Sequence, residues 1–197
     1  MPEELDDAEL MAKTAKGDDA AFRLLIERHE VAVFGTAVKM LQDRFLAEEI
    51  TQKVFLRVYW AAKRYRPTAK FRTWLFTILR RLVLNELRRR SSDSLLSFEE
   101  DRQGCVGPIA PRTPADALLD KERLELVERA IASLPPKQRL AVVLKSHEDL
   151  SYEEIGRVLG LSLSATRALL FRARETLRKT LSFRSGRRGL EKDRTGS

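Results

Sequence analysis

Apolar residues recur three and four positions apart through most of the chain, as in Phe22, Leu25 and Ile26 followed by Val33 and Ala37. This spacing is typical of helices that bury one face, and no strand-like alternation competes with it. The hydrophobic pattern therefore predicts an all-α protein.

Polar residues and prolines mark several helix starts. Asp18 or Asp19 precedes a long apolar-periodic segment, and the prolines at 135–136 open another. Ser151, with Glu154 three residues later, has the pattern of a capping box, in which each residue's side chain bonds the other's backbone N–H. These signals predict helices on both sides of the middle of the chain.

A break in this pattern separates two helical regions. Residues 91–116 hold three of the chain's seven prolines and more acidic than basic side chains, without apolar periodicity. We therefore predict two small helical domains, residues 1–90 and 117–183, joined by a flexible linker over 91–116. Residues 184–197 lack apolar spacing and are expected to form a basic, disordered tail.

Composition adds a basic surface. The 197 residues include 37 Lys and Arg against 29 Asp and Glu, which leaves a formal charge of +8. No apolar run approaches the roughly 18 residues that a membrane span needs, and the N-terminus opens acidic where a signal peptide would open basic. We expect a cytoplasmic protein without membrane insertion.

Few residue types that carry chemistry are present. The single cysteine, Cys105, excludes an internal disulfide, and with only two histidines no zinc cluster of these residues can form. Cys105 has no neighbour that would activate it, so we expect an inert, exposed thiol. No nucleophile–base pair, glycine-rich phosphate loop or metal-ligand set occurs, so we expect no enzymatic activity and no cofactor.

Residues 151–181 have helix-turn-helix spacing. A short capped helix ends at Gly160, and a second helix begins within about four residues. The second helix is expected to pack through Thr166, Leu170 and Ala173 beside a cationic flank. An ordinary amphipathic hairpin with a solvated arginine face remains the alternative, but the glycine turn and the basic excess favour DNA binding.

In a docked helix-turn-helix, the first turns of the second helix face the major groove. The residues expected nearest the base edges are Ser164, Ala165, Arg167, Ala168, Phe171 and Arg172. Arg167 is the best candidate for a specific contact, because arginine can bond two acceptors of one guanine. Arg174 and Arg178 lie further along the helix and are expected to meet phosphates.

Half of the chain's aromatic residues lie between Phe55 and Phe76, interleaved with cations. Such interleaving suits single-stranded nucleic acid, because bases stack on rings while Lys and Arg follow the backbone. The alternative is that the rings are core residues. We expect core positions for Phe55, Trp60 and Phe76, and exposed positions for Tyr65, Phe71 and Trp74.

Cations around this segment are predicted to form a basic groove beside the exposed rings. Those in the proline-containing segment are Arg66, Lys70 and Arg72, and those on the following helix are Arg80, Arg81 and Arg88.

Residues 47–90 and 134–174 together resemble the two conserved domains of the extracytoplasmic-function subgroup of bacterial RNA polymerase sigma factors. The resemblance covers most of residues 8–90 and 117–181. It implies a subunit that binds the RNA polymerase core and directs it to promoter DNA. The C-terminal domain would contact the minus-thirty-five element as duplex, and the N-terminal domain would help melt and capture the minus-ten strand. Members are commonly held inactive by an anti-sigma factor, which adds such a protein to the candidate partners.

The resemblance also assigns roles to segments. The residues at 65–74 resemble the family's minus-ten loop and helix start, and those at 164–174 resemble its minus-thirty-five recognition helix. The helix that resembles the polymerase-binding helix contains Glu48, Glu49, Gln52, Phe55 and Tyr59.

The competing hypothesis is a free-standing helix-turn-helix repressor or activator, whose N-terminal domain senses a partner or dimerises. The aromatic and basic segment argues against it, because a protein that binds only duplex DNA needs no surface for unstacked bases.

Overall fold

The computed structural model describes residues 5–96 and 124–192, and the side chains of 5–92 and 124–182. Within these ranges every regular element is a helix, which confirms the all-α prediction. Residues 91–96 of the predicted linker are helical, because the preceding helix continues through them, so the linker was predicted to begin too early. Residues 97–116, and Cys105 with them, lie outside the described residues.

The first helical unit contains α1 (Asp7–Thr14), α2 (Asp19–Leu41), α3 (Arg44–Ala61), a 3₁₀ turn (Ala62–Arg64) and α4 (Phe71–Leu96). The first three helices each begin after an aspartate, Asp6, Asp18 and Asp43, whose side chain accepts a hydrogen bond from a backbone N–H of the first turn. The predicted start of α2 at Asp18 or Asp19 is confirmed.

The second unit contains a helical segment over 124–132, here α5, followed by α6 (Pro136–Ser146), α7 (Tyr152–Leu159) and α8 (Leu163–Lys192). Pro136 occupies the first turn of α6, as predicted from the proline pair. α8 continues to Lys192, into the segment for which the sequence predicts no regular structure. Propagating a helix adds one hydrogen bond per residue at little cost, and no proline stops this one.

The first unit is built around α2, which packs against α1, α3 and α4. Its core includes Leu25 and Met40 from α2, Val58 from α3 and Phe76 from α4. Each of these side chains is buried, so the four helices share one apolar centre.

The two units pack directly against each other. α7 lies against α4, α6 lies against α2, and buried residues of both units form one hydrophobic cluster. Leu140 and Leu144 of α6 and Ile155 of α7 belong to that cluster. The helix-turn-helix therefore packs against α4, the helix that carries part of the predicted basic groove.

Candidate nucleic-acid interface

The turn between α7 and α8 has the local geometry that the sequence predicts. Ser151 Oγ accepts from the N–H of Glu154 at 3.1 Å, and the Glu154 carboxylate accepts from the N–H of Ser151 at 2.8 Å. Gly160 ends α7 in the left-handed region at φ 68°, where glycine has no steric cost. Ser162 Oγ accepts from the N–H of Ala165 at 3.2 Å and caps α8. The predicted capping box, turn and cap are confirmed.

A second glycine lets the two helices approach closely. A Cβ on Gly156 would lie 2.9 Å from the carbonyl oxygen of Leu161 and 3.0 Å from Thr166 Oγ1. Contacts this short force something to shift, so only glycine fits between α7 and the start of α8. This close approach was not predicted, although a glycine inside a helical pattern, such as Gly156, is itself a signal of close packing.

The start of α8 presents one face to the core and the other to solvent. Thr166, Leu170 and Ala173 are buried, which confirms the predicted packing stripe. The exposed residues on the other side are Ser164, Arg167, Ala168, Phe171 and Arg172, whereas Ala165 is half-buried. Phe171 is 65% exposed although it is apolar. This outward face contains the predicted groove-facing residues apart from Ala165.

The arginines further along α8 are exposed and already hold polar partners. Arg174 Nη2 donates to the hydroxyl of Tyr152 at 2.9 Å, and Arg178 pairs with Glu175 at 2.9 Å. These contacts hold the two guanidinium groups beside the outward face of α8.

Three aromatic rings pack together at the start of α4. The ring centroids of Tyr65 and Trp74 lie 4.8 Å apart, and Phe71 lies 5.6 Å from Trp74 and 6.0 Å from Tyr65. Tyr65 and Trp74 are half-buried, but Phe71 is 4% exposed and also contacts the ring of His29. The expectation that Phe71 is exposed is therefore wrong, and Tyr65 and Trp74 remain the accessible rings.

Some cations of the predicted basic groove contact the second unit, and the others are exposed. Arg66, Arg81 and Arg88 are exposed. Arg72 instead forms an ion pair with Glu148, and Arg80 Nη1 donates to the carbonyl oxygen of Leu159 at 2.7 Å. The remaining cation, Lys70, keeps an exposed side chain and pairs with Glu154 at 3.0 Å. Half of the predicted groove thus contacts the second unit.

The outer face of α3 carries the residues that resemble a polymerase-binding helix. Glu48, Glu49, Gln52 and Tyr59 are exposed, whereas Phe55 is 6% exposed and belongs to the core. Phe55 therefore cannot contact a partner without rearrangement of the core, and its burial agrees with the core position also expected for it.

Exposed apolar side chains extend this face of α3. Trp60 is 72% exposed and Phe45 is 87% exposed, so the expectation that Trp60 is a core residue is wrong. Phe76 is buried, as expected. Large exposed rings beside charged residues are typical of a surface that another protein covers.

The carboxyl groups of Asp7 and Glu154 each have a pKa lowered by hydrogen-bond partners. The His29 ring donates to Asp7 at 2.8 Å, and this hydrogen bond lowers the pKa of the Asp7 carboxyl against the opposing effect of burial. The backbone N–H of Ser151 lowers the pKa of Glu154, and Lys70 lowers it further. Both carboxylates are structural, since each fastens one helix to a neighbouring segment.

Within the described residues, no group of three or more His, Cys, Asp or Glu side chains could hold a metal ion. No helix in the same part of the chain is long and apolar enough to cross a membrane.

Comparison with known families accounts for both helical units. The family model described as Sigma-70 region 2 matches residues 25–92, and the model described as Sigma-70, region 4 matches residues 124–177.

Individual relatives align over nearly the whole chain. The RNA polymerase sigma-H factor of Pseudomonas aeruginosa is 32% identical over 181 residues, which cover 89% of this chain and 93% of that one. The ECF RNA polymerase sigma-E factor of Escherichia coli is 30% identical over 182 residues, covering 90% and 95% of the two chains.

Solved structures share the arrangement of helices. CnrH, solved in complex with the cytosolic domain of CnrY, superposes with a TM-score of 0.66 at 26% identity, covering 89% of this chain and 97% of that one. RpoE of Bartonella quintana, solved with the anti-sigma factor NepR, also gives 0.66 at 22% identity, covering 82% and 96% of the two chains.

Proposed function

Because the chain belongs to the extracytoplasmic-function subgroup of the sigma-70 family, whose members direct RNA polymerase to promoters, we propose that its two helical units hold different parts of a promoter. The second unit binds the minus-thirty-five element as duplex, and the first binds the melted minus-ten strand and the polymerase core. The chain acts in the cytoplasm, as a binding subunit with no reaction of its own.

The outward face of α8 supports the duplex role and is the observation that carries the proposal. Arg167 and Arg172 are exposed, and their side chains have no hydrogen bond or ion pair with other described residues. They flank Ala168 and Phe171, whose apolar surfaces suit the methyl groups of thymine. Arg167 would bond a guanine, and Arg174 and Arg178 would hold phosphates.

The aromatic cluster and its cations support the minus-ten role. Trp74 and Tyr65 offer partly exposed rings on which unstacked bases can pack, at about 1–3 kcal/mol for each base. Arg66, Arg81 and Arg88 would follow the phosphates of the same strand. Phe71 supports the cluster from beneath, because it is buried against the other two rings and His29.

The outer face of α3 supports polymerase binding. Tyr59 and Trp60 supply adjacent exposed rings, and Glu48, Glu49 and Gln52 supply polar groups around them. Buried aromatic anchors inside a polar rim are the usual source of affinity in protein interfaces.

The test is transcription with purified polymerase core and fragments of the bacterium's own genomic DNA. The wild-type protein should produce discrete transcripts whose start sites share two upstream sequence elements. Sequence-specific binding by the free protein, with no effect on core polymerase, would instead support a free-standing repressor or activator. The accessible rings next to the cations argue against that alternative.

An inhibitory protein partner is the second part of the proposal. RpoE of Bartonella quintana was solved with an anti-sigma factor, and the exposed rings of α3 offer a surface that such a protein would cover here. Purification of the tagged chain from its own bacterium should recover the subunits of RNA polymerase and also a smaller protein, which competes with the polymerase for the chain. Loss of both in a Trp60→Ala chain would place the competition on α3, whereas retention of the small protein would place it elsewhere.

A further inference from the structure

The stacking rings at the start of α4 are supported by a residue of another helix. Phe71 is 4% exposed, and its ring contacts both Tyr65 and Trp74. The same ring contacts His29 of α2, with the two centroids 5.1 Å apart and the rings tilted by 47°. His29 is therefore connected to the two accessible rings through Phe71.

His29 is itself held in place by α1. Its Nε2 donates to Asp7 Oδ2 at 2.8 Å, and its side chain is 12% exposed. An ionised carboxylate only accepts, so this bond determines which ring nitrogen carries the proton and how the ring is turned. The preceding residue, Arg28, donates to the carbonyl of Leu5 at 2.7 Å and to Asp7 Oδ1 at 3.2 Å. The start of α1 is thus attached to α2 beside the ring that contacts Phe71.

Tyr65 has no hydrogen bond from its hydroxyl that would hold its ring. The hydroxyl oxygen is buried and has no partner among the described residues, which is costly for a polar group. Burial, together with the charges of Asp7 and Asp6, raises the pKa of Tyr65, so the hydroxyl stays neutral. The orientation of the Tyr65 ring therefore depends on its contacts with Phe71 and Trp74.

The rings of this cluster pack at an angle to one another. The interplanar angle is 73° between Tyr65 and Phe71, 59° between Tyr65 and Trp74, and 48° between Phe71 and Trp74. Tilted contacts cover less of a ring face than a parallel stack does, so they leave ring surface for a base. A base can stack on that surface only while the ring keeps its orientation.

We propose that His29 is a positioning residue for the melted strand, which holds Phe71, and through it Tyr65 and Trp74, in the arrangement that accepts unstacked bases. Asp7 orients the His29 ring, so α1 takes part in strand capture without touching DNA. The inference rests on the proposed function of the aromatic cluster. Loss of the competent arrangement weakens strand binding in proportion to its population, and it leaves the binding surfaces on α3 and α8 unchanged.

The experiment replaces each of the chain's two histidines with glutamine. His29→Gln keeps an N–H donor for Asp7 but removes the ring that contacts Phe71. His147→Gln is the matched control, because His147 is exposed and directly follows α6 in the second unit. Both variants are used as full-length chains with polymerase core, after circular dichroism and urea unfolding have shown that they fold.

The probes are two versions of one promoter that the wild-type protein transcribes. One version is fully paired, and the other carries mismatches that keep the minus-ten segment melted. The wild-type holoenzyme should bind the mismatched version more tightly at a temperature at which the paired version stays closed. His29→Gln should reduce this preference about fivefold, as expected if the competent arrangement falls to about one-fifth of the population. Its affinities for the paired version and for core should stay unchanged. A preference equal to that of His147→Gln would overturn the proposal.

A second pair of variants tests the part played by α1. Asp7 and Asp19 are the first residues of α1 and α2, and each follows a capping aspartate. Replacing either with alanine therefore removes the same charge from the same position of a helix. Asp7→Ala should lower the preference for the mismatched promoter, and Asp19→Ala should not. Equal preferences would contradict the orientation of His29 by Asp7, and this pair decides the question if His29→Gln does not fold.

The fluorescence of Trp74 tests the arrangement of the rings without DNA. Trp60→Phe leaves Trp74 as the only tryptophan of the chain. Adding His29→Gln should make the indole more mobile in time-resolved anisotropy and more accessible to acrylamide, whereas adding His147→Gln should change neither. A residue that contributes only stability would lower the unfolding midpoint and leave the folded ring unchanged. The same mobility and accessibility in both variants would therefore contradict positioning by His29.

Transcription by the wild-type protein separates failure of this inference from failure of the proposed function. If the wild-type protein supports promoter-specific transcription but the two glutamine variants show equal preferences, only the role of His29 is rejected. If the wild-type protein gives no promoter-specific transcript with core polymerase, the proposed function is rejected, and the inference is rejected with it.

Discussion

Arg139 of α6 donates a hydrogen bond of 2.7 Å from Nη1 to the backbone carbonyl of Met40, at the end of α2. Its Nη2 also donates to the carbonyls of Ala132, the last residue of α5, and Leu134, in the turn before α6. One guanidinium therefore joins the end of α2 to the start of α6, and burial lowers its pKa.

Arg139→Lys should destabilise the protein although the charge is kept. A single ammonium cannot reach three carbonyls in different directions as the planar guanidinium does. Each carbonyl left buried without a donor costs about 1–3 kcal/mol, so the midpoint of urea unfolding should fall. Lys137→Arg, at an exposed position of the same helix, is the control and should stay within about 0.5 kcal/mol of wild type. Equal midpoints for the two variants would show that the three carbonyl contacts of Arg139 do not stabilise the protein.

Gly156→Ala should destabilise the helix-turn-helix. The new methyl group would meet Leu161 and Thr166, and overpacking of this kind costs about 1–3 kcal/mol. The gain in helix propensity, about 1 kcal/mol at most, offsets only part of that cost. The matched control is Gly35→Ala, because a Cβ at Gly35 in α2 meets nothing within 4 Å. Thermal unfolding should show a lower midpoint for Gly156→Ala and a higher one for Gly35→Ala, and a rise in both would contradict the close approach.

Arg167→Ala should change which upstream sequence is preferred. Loss of a two-point contact to guanine costs about 1–3 kcal/mol at that base pair and little elsewhere. Arg178→Ala should instead weaken binding to all sequences alike and make binding less sensitive to salt. Selection of a randomised upstream element with the reconstituted polymerase measures the preference, and titration of one promoter at several salt concentrations measures the affinity and its salt dependence. An unchanged preference in the Arg167→Ala selection would remove that residue from base recognition.

Trp74→Ala and Trp60→Ala should fail at different steps. Loss of the Trp74 ring should impair strand opening, by about 1–3 kcal/mol per lost base contact, with binding to core polymerase intact.

Loss of the exposed Trp60 ring should weaken core binding by about 2 kcal/mol or more, roughly thirtyfold. Permanganate reactivity of a promoter measures the first and titration of labelled protein with core measures the second, after circular dichroism has shown both variants folded. Normal opening by Trp74→Ala would exclude stacking on that ring.

Glu154→Gln should make stability less dependent on acid pH. The folded protein holds the pKa of Glu154 below its ordinary value, so its carboxylate stabilises the fold above about pH 4.3 and loses that effect as pH falls through the lowered pKa. Glutamine keeps a capping-box partner for Ser151 but not the charge facing Lys70. Urea unfolding should therefore separate the two proteins at pH 7 and bring them together as the pH falls below the lowered pKa of Glu154. A constant difference across this range would contradict the assigned cause.

Local signals predicted local structure well. The capping box at Ser151, the turn at Gly160 and the cap at Ser162 each depend on residues no more than a few positions apart. The packing stripe of α8 followed from helical periodicity alone, and so did the all-α class.

Burial of the aromatic residues was predicted less well, for two different reasons. Trp60 was assigned to the core from its apolar neighbours, yet it lies about 200° around the helix from buried Val58, so periodicity already placed it outside. Phe71 was expected to be exposed because it follows a proline-containing segment. It is buried by His29, a residue of another helix, and no local pattern carries that contact.

The hydrogen bonds between the two units could not be predicted from the sequence at their acceptor residues. Arg80 and Arg139 donate to the carbonyls of Leu159 and Met40, and every residue carries such a carbonyl. Glu148 has no feature in the sequence that separates it from the exposed Asp149 beside it. Only the packing of α6 and α7 on the first unit distinguishes the two.

Because these hydrogen bonds use backbone acceptors, the side chains at the acceptor positions can change during evolution without breaking them. Substituting Leu159 or Met40 with another apolar residue keeps the carbonyl that Arg80 or Arg139 needs, so drift at these sites does not break the hydrogen bonds between the units. The exposed residues of α8 take no part in those bonds. The proposed role of Arg167 in base recognition would therefore allow related chains to change their promoter preference while the helix-turn-helix keeps its packing against the first unit.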